Sequence, residues 1–197
     1  MNLPLTLPNI LTSLRICLIP VLVLCFYLLP MDIRYLASAF VFSIASLTDW
    51  LDGYLARKMG QMTPFGAFLD PVADKLLVAV ALILLVEAHA SALLAIPALV
   101  IVGREIVVSA LREWMSTYSD SSGVKVSFVA KVKTGFQMTA IIVLLAQGPD
   151  LSAPLVILGY LLLYVAAGLT LWSMYQYLVV AWPDLASGMQ RQDKNHD

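Results

Sequence analysis

The chain has 197 residues, of which 60% are hydrophobic and 13% are charged, and its formal net charge is -1. A soluble globular domain of this length would need more polar residues to cover its surface, so the composition excludes one and predicts a protein embedded in lipid. The two cysteines, Cys17 and Cys25, lie in one apolar stretch, which excludes a disulfide framework and a CxxC metal site.

Six stretches of the chain are apolar over about 17 to 25 residues, the length that crosses a bilayer as a helix. Basic residues are concentrated in alternate loops, so the positive-inside rule places both termini in the cytoplasm. We therefore predict an all-α, multi-pass integral membrane protein, with one membrane-embedded domain over residues 1–197 and a polar, disordered cytoplasmic tail at residues 185–197. The predicted spans are Leu11–Leu29, Tyr35–Ala56, Phe68–Ala88, Ala92–Trp114, Phe128–Gln147 and Ala153–Ala181.

Four aspartates interrupt the second and third spans. Asp49 and Asp52 lie near the end of the second span, and Asp70 and Asp74 lie near the start of the third. Because residues three or four positions apart share a helix face, each pair forms an acidic stripe. Small residues on the same stripes let helices and a ligand approach closely. These small residues are Gly53, Ala56 and Gly66.

Clustered carboxylates in a bilayer need a compensating charge. An ionised aspartate at a helix centre costs about 2.5 kcal/mol or more, and several together also repel one another. The acids offer only oxygen ligands, with no suitable His or Cys, which favours a hard divalent cation, Mg²⁺ first and Mn²⁺ second. Four carboxylates exceed what one Mg²⁺ usually takes from a protein, so we expect two ions, and such a pair suits a phosphate substrate.

A structural alternative pairs the aspartates with basic residues at the helix ends. Arg57, Lys58 and Lys75 are the nearest such residues in the sequence. The spacing of the small residues has no role in salt bridges, and acids within membrane helices are usually functional, so we favour metal ligation.

Together these residues follow the pattern Asp-x2-Asp-Gly-x2-Ala-Arg-x8-Gly-x3-Asp-x3-Asp, from Asp49 to Asp74. The pattern resembles the signature of the CDP-alcohol phosphotransferases without a departure. The resemblance implies the six-helix fold of that family, usually homodimeric, with a polar cavity open to the cytoplasm and the lipid leaflet. It also implies that Asp49, Asp52 and Asp70 are the principal metal ligands, and that Asp74 is a general base that also contacts a metal.

A second stretch that resembles the family, Pro-Asn-x2-Thr-x2-Arg, opens the first span. Its Asn9, Thr12 and Arg15 either cap the helix or line the nucleotide site. The resemblance alone assigns the glycines, the alanine and Arg57 of the main pattern to the CDP-lipid. The predicted CDP-lipid contacts are therefore Asn9, Thr12, Gly53, Ala56, Arg57 and Gly66.

Charged residues also enter the fourth and fifth spans. They exceed what a CDP-lipid neutralised by two cations requires, so we expect an anionic acceptor, and arginine and lysine both suit a phosphate. Two alternatives remain open: positive-inside anchoring at the headgroups, and salt bridges such as Arg104 or Arg112 with Glu105. The predicted acceptor-phosphate contacts are Arg104, Arg112, Lys131 and Lys133.

The fourth and fifth spans resemble the bacterial phosphatidylglycerophosphate synthases within the family. This resemblance implies transfer of the phosphatidyl group of CDP-diacylglycerol to glycerol 3-phosphate, with release of CMP, at the cytoplasmic face of the bacterial inner membrane. The expected partners are the two substrates, membrane lipids and a second copy of the chain, with no nucleic acid.

Three other functions compete with this reading. The first is a sister enzyme that uses inositol phosphate, serine or phosphatidylglycerol as acceptor, although an uncharged acceptor would leave the basic residues without a role. The second is a magnesium channel or transporter, whose acids should continue across the bilayer, whereas these four lie in one half of it. The third is an inactive structural subunit, which the complete set of acids disfavours.

Overall fold

The computed structural model describes the backbone of residues 7–59, 64–118 and 128–193, with most of their side chains. Six α-helices fill these ranges, and no strand occurs within them. The predicted all-helical class is therefore confirmed. In chain order the helices are α1 Leu7–Leu28, α2 Met31–Met59, α3 Pro64–His89, α4 Ala92–Tyr118, α5 Phe128–Gln147 and α6 Pro154–Asp193.

Most helices extend beyond the apolar stretches from which they were predicted. Helix α5 has the predicted ends, whereas α2 continues to Met59 and α3 begins at Pro64. The added residues include Ala, Arg, Lys and Met, which favour helix even where the sequence is no longer apolar. Helix α6 continues to Asp193, so the backbone of the predicted tail is helical up to that residue, and residues 194–197 lie outside the described ranges.

The outer surface of the helices is apolar, as lipid contact requires. Large exposed side chains include Phe40, Phe68 and Leu99, which are 66%, 68% and 72% exposed. Within the described residues, three helices are long and apolar enough to cross a membrane. The protein is therefore a membrane protein. The three apolar spans are Ile10–Leu28, Ala92–Leu111 and Pro154–Val179.

Short connections place consecutive helices side by side in opposite directions. Pro30 follows α1, Ala90 and Ser91 join α3 to α4, and Gly148 ends α5 in a left-handed conformation with a φ of 67°. The Gly148 N–H bonds to the Leu144 carbonyl oxygen, which closes the last turn of α5. This alternation brings the acidic end of α2 and the acidic start of α3 to the same end of the bundle.

The interior contains a long apolar core and a smaller polar region. Helix α1 packs on α2 and α3, α4 lies against α3 and α6, and α5 packs on α2, α3 and α6. Phe42, Leu77, Ile141 and Leu163 are among the fully buried side chains of the core. Several buried polar residues belong to the helix segments that carry the predicted site. Buried polar side chains are Thr12, Arg15, Ser38, Thr48, Arg104, Lys133, Gln137, Thr170 and Ser173.

Candidate active site

A buried arginine of α1 joins two of the four predicted aspartates. Arg15 is 0% exposed, and its Nη1 lies 2.5 Å from Oδ1 of Asp74 on α3. Its Nη2 lies 3.2 Å from Oδ1 of Asp49 on α2. The side chains of Asp49 and Asp74 keep 40% and 39% of their surface exposed. Each carboxylate therefore contacts the guanidinium on one side and keeps part of its surface exposed. Three helices thus meet at one charged cluster.

The third described aspartate binds the same face of α1. The Thr12 hydroxyl donates a hydrogen bond to Oδ1 of Asp70. Thr12 and Arg15 lie one turn apart on α1, and Asp70 and Asp74 lie one turn apart on α3, so the two helices pair through matching polar residues. The sequence indicated Thr12 and Arg15 as candidate site residues but did not indicate these partners. A threonine and an arginine on one face of an otherwise apolar helix were the available signal.

A cavity of about 170 Å³ lies between these carboxylates and helices α4 and α5. It brings Asp74, the predicted general base, into the same space as Lys133, a predicted acceptor contact. The walls of the cavity carry charge of both signs. They are formed by Asp49, Asp74, Lys75, Val78, Glu105, Lys133, Thr134, Gln137 and Met138.

Glu105 of α4 accepts hydrogen bonds from two cations. Its Oε1 lies 2.8 Å from Nη1 of Arg104 and 3.1 Å from Nζ of Lys133 on α5. Arg104 also donates to the Ser173 hydroxyl of α6 at 2.9 Å. The salt bridge of Arg104 with Glu105, one of the two alternatives open from the sequence, is therefore present. Arg104 does not line the cavity, whereas Lys133 does, so Lys133 is the better placed of the two for a ligand.

Lys75 has a different partner from the one that the salt-bridge alternative predicted. Its Nζ donates a hydrogen bond of 2.5 Å to the Ser109 hydroxyl on α4. Ser109 in turn donates to the backbone carbonyl of Glu105. Among the described side chains, Arg15 rather than a lysine is the cation that pairs with the aspartates.

The described acids do not by themselves form a complete metal centre. No three His, Cys, Asp or Glu side chains within the described part of the chain lie close enough to hold one ion. Asp49 and Asp74 share the Arg15 guanidinium, Asp70 binds Thr12, and the side chain of Asp52 lies outside the described residues. The available donors are carboxylate oxygens, which is the ligand chemistry that Mg²⁺ and Mn²⁺ accept. The residues therefore fit a hard divalent cation in chemistry, and ligation by them stays a prediction.

The other predicted site residues have helical backbones. Gly66, one of the predicted CDP-lipid contacts, is buried in α3. For the rest, the side chains lie outside the described residues, so their predicted contacts stay predictions. They are Asn9 in α1, Asp52, Gly53, Ala56 and Arg57 in α2, Arg112 in α4 and Lys131 in α5.

Comparison with known families shows the family to which the chain belongs. A family model described as CDP-alcohol phosphatidyltransferase matches residues 5–172, from the start of α1 into α6. The chain belongs to the CDP-alcohol phosphatidyltransferase family. The match contains all four aspartates and the cavity, and the family resemblance inferred from the aspartate pattern is confirmed. Members of this family generally depend on a divalent metal.

Several curated relatives in the family are similar over nearly their whole length. A protein of Pseudomonas fluorescens is 54% identical over 189 residues, which cover 95% of this chain and 96% of the relative. A protein of Yersinia pestis (strain Pestoides F) is 50% identical over 92% of this chain and 97% of its own. One of Shigella flexneri serotype 5b (strain 8401) is 50% identical over 91% of this chain and 96% of its own. Each is named CDP-diacylglycerol–glycerol-3-phosphate 3-phosphatidyltransferase.

Proposed function

We propose that this protein transfers the phosphatidyl group of CDP-diacylglycerol to glycerol 3-phosphate, giving phosphatidylglycerophosphate and CMP. The observation that carries the proposal is the shared cavity, in which the carboxylates of Asp49 and Asp74 face the ammonium groups of Lys75 and Lys133. One wall can hold the activated diphosphate and the other an anionic alcohol. The names of the relatives describe the same pair of substrates.

The carboxylate side of the cavity is the proposed diphosphate site. Asp49, Asp52, Asp70 and Asp74 would hold two Mg²⁺ ions, with Mn²⁺ as a substitute. When bound, such ions supply positive charge that neutralises the diphosphate and stabilises the departing CMP. The CDP-lipid itself would contact Asn9, Thr12, Gly53, Ala56, Arg57 and Gly66.

Asp74 is the proposed general base. The alcohol oxygen of the acceptor forms the new bond to phosphorus while the bond from phosphorus to the CMP oxygen breaks, and the alcohol proton passes to the Asp74 carboxylate. Arg15 fixes the orientation of this carboxylate through a 2.5 Å contact on Oδ1, and 39% of the Asp74 side chain stays exposed. Orientation matters more than basicity here, because a carboxylate beside cations is a weak base.

The basic side of the cavity is the proposed acceptor site. Lys133 borders the cavity from α5, while Glu105 holds its ammonium from α4. Arg104, Arg112 and Lys131 complete the proposed set of phosphate contacts. We also propose a single catalytic domain in the inner membrane of a bacterium, with this cavity facing the cytoplasm, the tail beyond residue 185 on the same side, and two copies forming a homodimer.

The test is an acceptor screen with purified protein. Full-length protein is incubated with CDP-diacylglycerol, Mg²⁺ and labelled glycerol 3-phosphate, inositol phosphate or serine, and CMP release is measured. We expect release with glycerol 3-phosphate alone, and its loss in Asp70→Asn and Asp74→Asn. Equal turnover of serine or inositol phosphate would overturn the acceptor assignment and identify a sister enzyme. CMP release that persists in both variants would refute the assigned chemistry.

A further inference from the structure

Four cations with described side chains lie around or directly behind the cavity: Arg15, Lys75, Arg104 and Lys133. Three of them contact carboxylates, since Arg15 pairs with two aspartates and Arg104 and Lys133 both contact Glu105. Lys75 alone among these four has a neutral partner, the Ser109 hydroxyl. We propose, on the basis of the function given above, that Lys75 binds the phosphate of the acceptor and sets the preference for an anionic alcohol.

Ser109 holds the Lys75 ammonium in place without neutralising it. The Ser109 hydroxyl donates its hydrogen bond to the backbone carbonyl oxygen of Glu105, so its oxygen accepts a hydrogen bond from the Lys75 ammonium. An ammonium group has several N–H donors, and this contact uses one of them. Because Ser109 belongs to α4 and Lys75 to α3, the ammonium is fixed where these helices meet at the cavity wall. The other donors can serve a ligand.

The charges around the cavity favour an anionic ligand beside Lys75. Asp49 and Asp74 are paired with Arg15, and Glu105 is paired with Arg104 and Lys133. An opposite charge stabilises an ion in the low dielectric of a membrane protein, and the partner of Lys75 is a neutral hydroxyl, so its ammonium favours an anion there. A phosphate between Lys75 and Lys133 would lie in the space that Asp74 also borders. The hydroxyl of the same small molecule would then reach the proposed base.

The size of the cavity suits the acceptor beside the diphosphate end of the CDP-lipid. Its volume of about 170 Å³ is below the 300 to 1,000 Å³ or so of sites that take drug-sized ligands. It corresponds to roughly five or six water volumes. A small phosphorylated alcohol is of this order, whereas the nucleoside and the two acyl chains of the CDP-lipid are far larger and must lie outside the cavity.

Kinetics with both substrates varied will test the proposal in the full-length enzyme with Mg²⁺. Lys75→Gln removes the charge but keeps an N–H donor for Ser109. We expect the KM for glycerol 3-phosphate to rise about 10- to 100-fold, the effect of one charge-assisted contact, while the KM for CDP-diacylglycerol changes less than about twofold. Inorganic phosphate, used as a competitor of glycerol 3-phosphate, should lose inhibition by a similar factor. Lys75→Arg should restore most of the lost affinity.

Two further variants separate a ligand contact from a tie between helices. Ser109→Asp places a carboxylate against Lys75. If Lys75 binds the acceptor phosphate, the KM for glycerol 3-phosphate should rise while the enzyme stays folded. If Lys75 only ties α3 to α4, the new ion pair should strengthen that contact and leave the KM unchanged. This variant also decides the question if Lys75→Gln does not fold. Arg34→Gln is the matched control, because Arg34 bonds to the Tyr35 hydroxyl and stacks on the Phe26 ring, away from the cavity.

The outcomes that would overturn the proposal are distinct from a failure of the proposed function. An unchanged KM in Lys75→Gln, or an equal rise in the KM of both substrates, would refute the role of Lys75. If the wild-type enzyme does not turn over glycerol 3-phosphate, this result would instead refute the proposed function. Inhibition by inorganic phosphate can still be compared between wild type and Lys75→Gln in that case, with whichever acceptor is used.

Discussion

Replacement of Arg15 by methionine tests whether an internal cation holds the acidic cluster together. Methionine fills a similar length of buried space but leaves Asp49 and Asp74 without the guanidinium that joins them. We expect the metal-free protein to lose stability and to respond more strongly to Mg²⁺, because the two carboxylates then repel each other until a cation binds.

The size of the effect follows from the two contacts. A hydrogen bond to a charged group contributes about 1.5 to 3 kcal/mol, so two such contacts give roughly 3 to 6 kcal/mol. Because the aspartate side chains remain 40% and 39% exposed, water can replace part of the lost interaction. We therefore expect a loss of unfolding free energy at the lower end of this range, about 3 kcal/mol. For a chain of this size each kcal/mol shifts the melting temperature by about 2 to 4 °C, which gives a decrease of about 6 to 12 °C.

The assay is thermal unfolding in detergent, first with EDTA and then over a series of Mg²⁺ concentrations. Arg15→Lys should lie between wild type and Arg15→Met, because an ammonium cannot bind two carboxylates as a guanidinium does. Arg34→Met is the control and should leave the Mg²⁺ response unchanged, since Arg34 contacts Tyr35 and Phe26. Equal melting temperatures of wild type and Arg15→Met in EDTA would refute the inferred role of the arginine.

Three other predictions concern the turns and the metal. Gly148→Ala should lower the melting temperature by about 2 to 8 °C, because an L-residue with positive φ costs about 1 to 2 kcal/mol and the new Cβ would lie 2.8 Å from Tyr35. Gly168→Ala is the control, because Gly168 has open space around it, and this change should not lower the melting temperature. The Ser152 hydroxyl and N–H lower the pKa of Asp150 below its usual 3.8, so Asp150→Ala should melt below wild type above about pH 5 and the gap should close as the pH falls below 3.8. EDTA should stop CMP release, and Mg²⁺ or Mn²⁺ should restore it; release that continues in EDTA would contradict a metal-dependent reaction.

The number and order of the helices could be predicted because the bilayer imposes a length on every apolar segment. The helix ends were less predictable, because hydropathy changes where a helix leaves the apolar layer and not where its backbone hydrogen bonds stop. Helix α5 is the exception, since Gly148 ends its backbone and its apolar stretch at the same place. At the end of α2, helix-forming residues carry the backbone on to Met59.

The acidic stripe of α3 could be predicted because the four-residue spacing of Asp70 and Asp74 places both on one helix face. Their partners could not, since Arg15 meets Asp74 across 59 positions of sequence. Such a contact depends on how the helices pack, which no local pattern encodes. The partner of Ser109 could not be predicted for a similar reason, since only the packing of α3 on α4 shows that this hydroxyl holds Lys75.

The distribution of charge around the cavity would orient the acceptor in the proposed reaction. Arg15 lies behind Asp49 and Asp74, so it orients these carboxylates while they keep an exposed side toward cations and substrate. On the opposite side Glu105 anchors Lys133, and a neutral hydroxyl anchors Lys75. An anionic alcohol that enters between the lysines is therefore held by its phosphate, which leaves its hydroxyl for the acidic wall. Serine has no phosphate and carries an ammonium group beside its carboxylate, so it would gain less from Lys75, and this difference in binding is a physical basis for choosing between acceptors within one family.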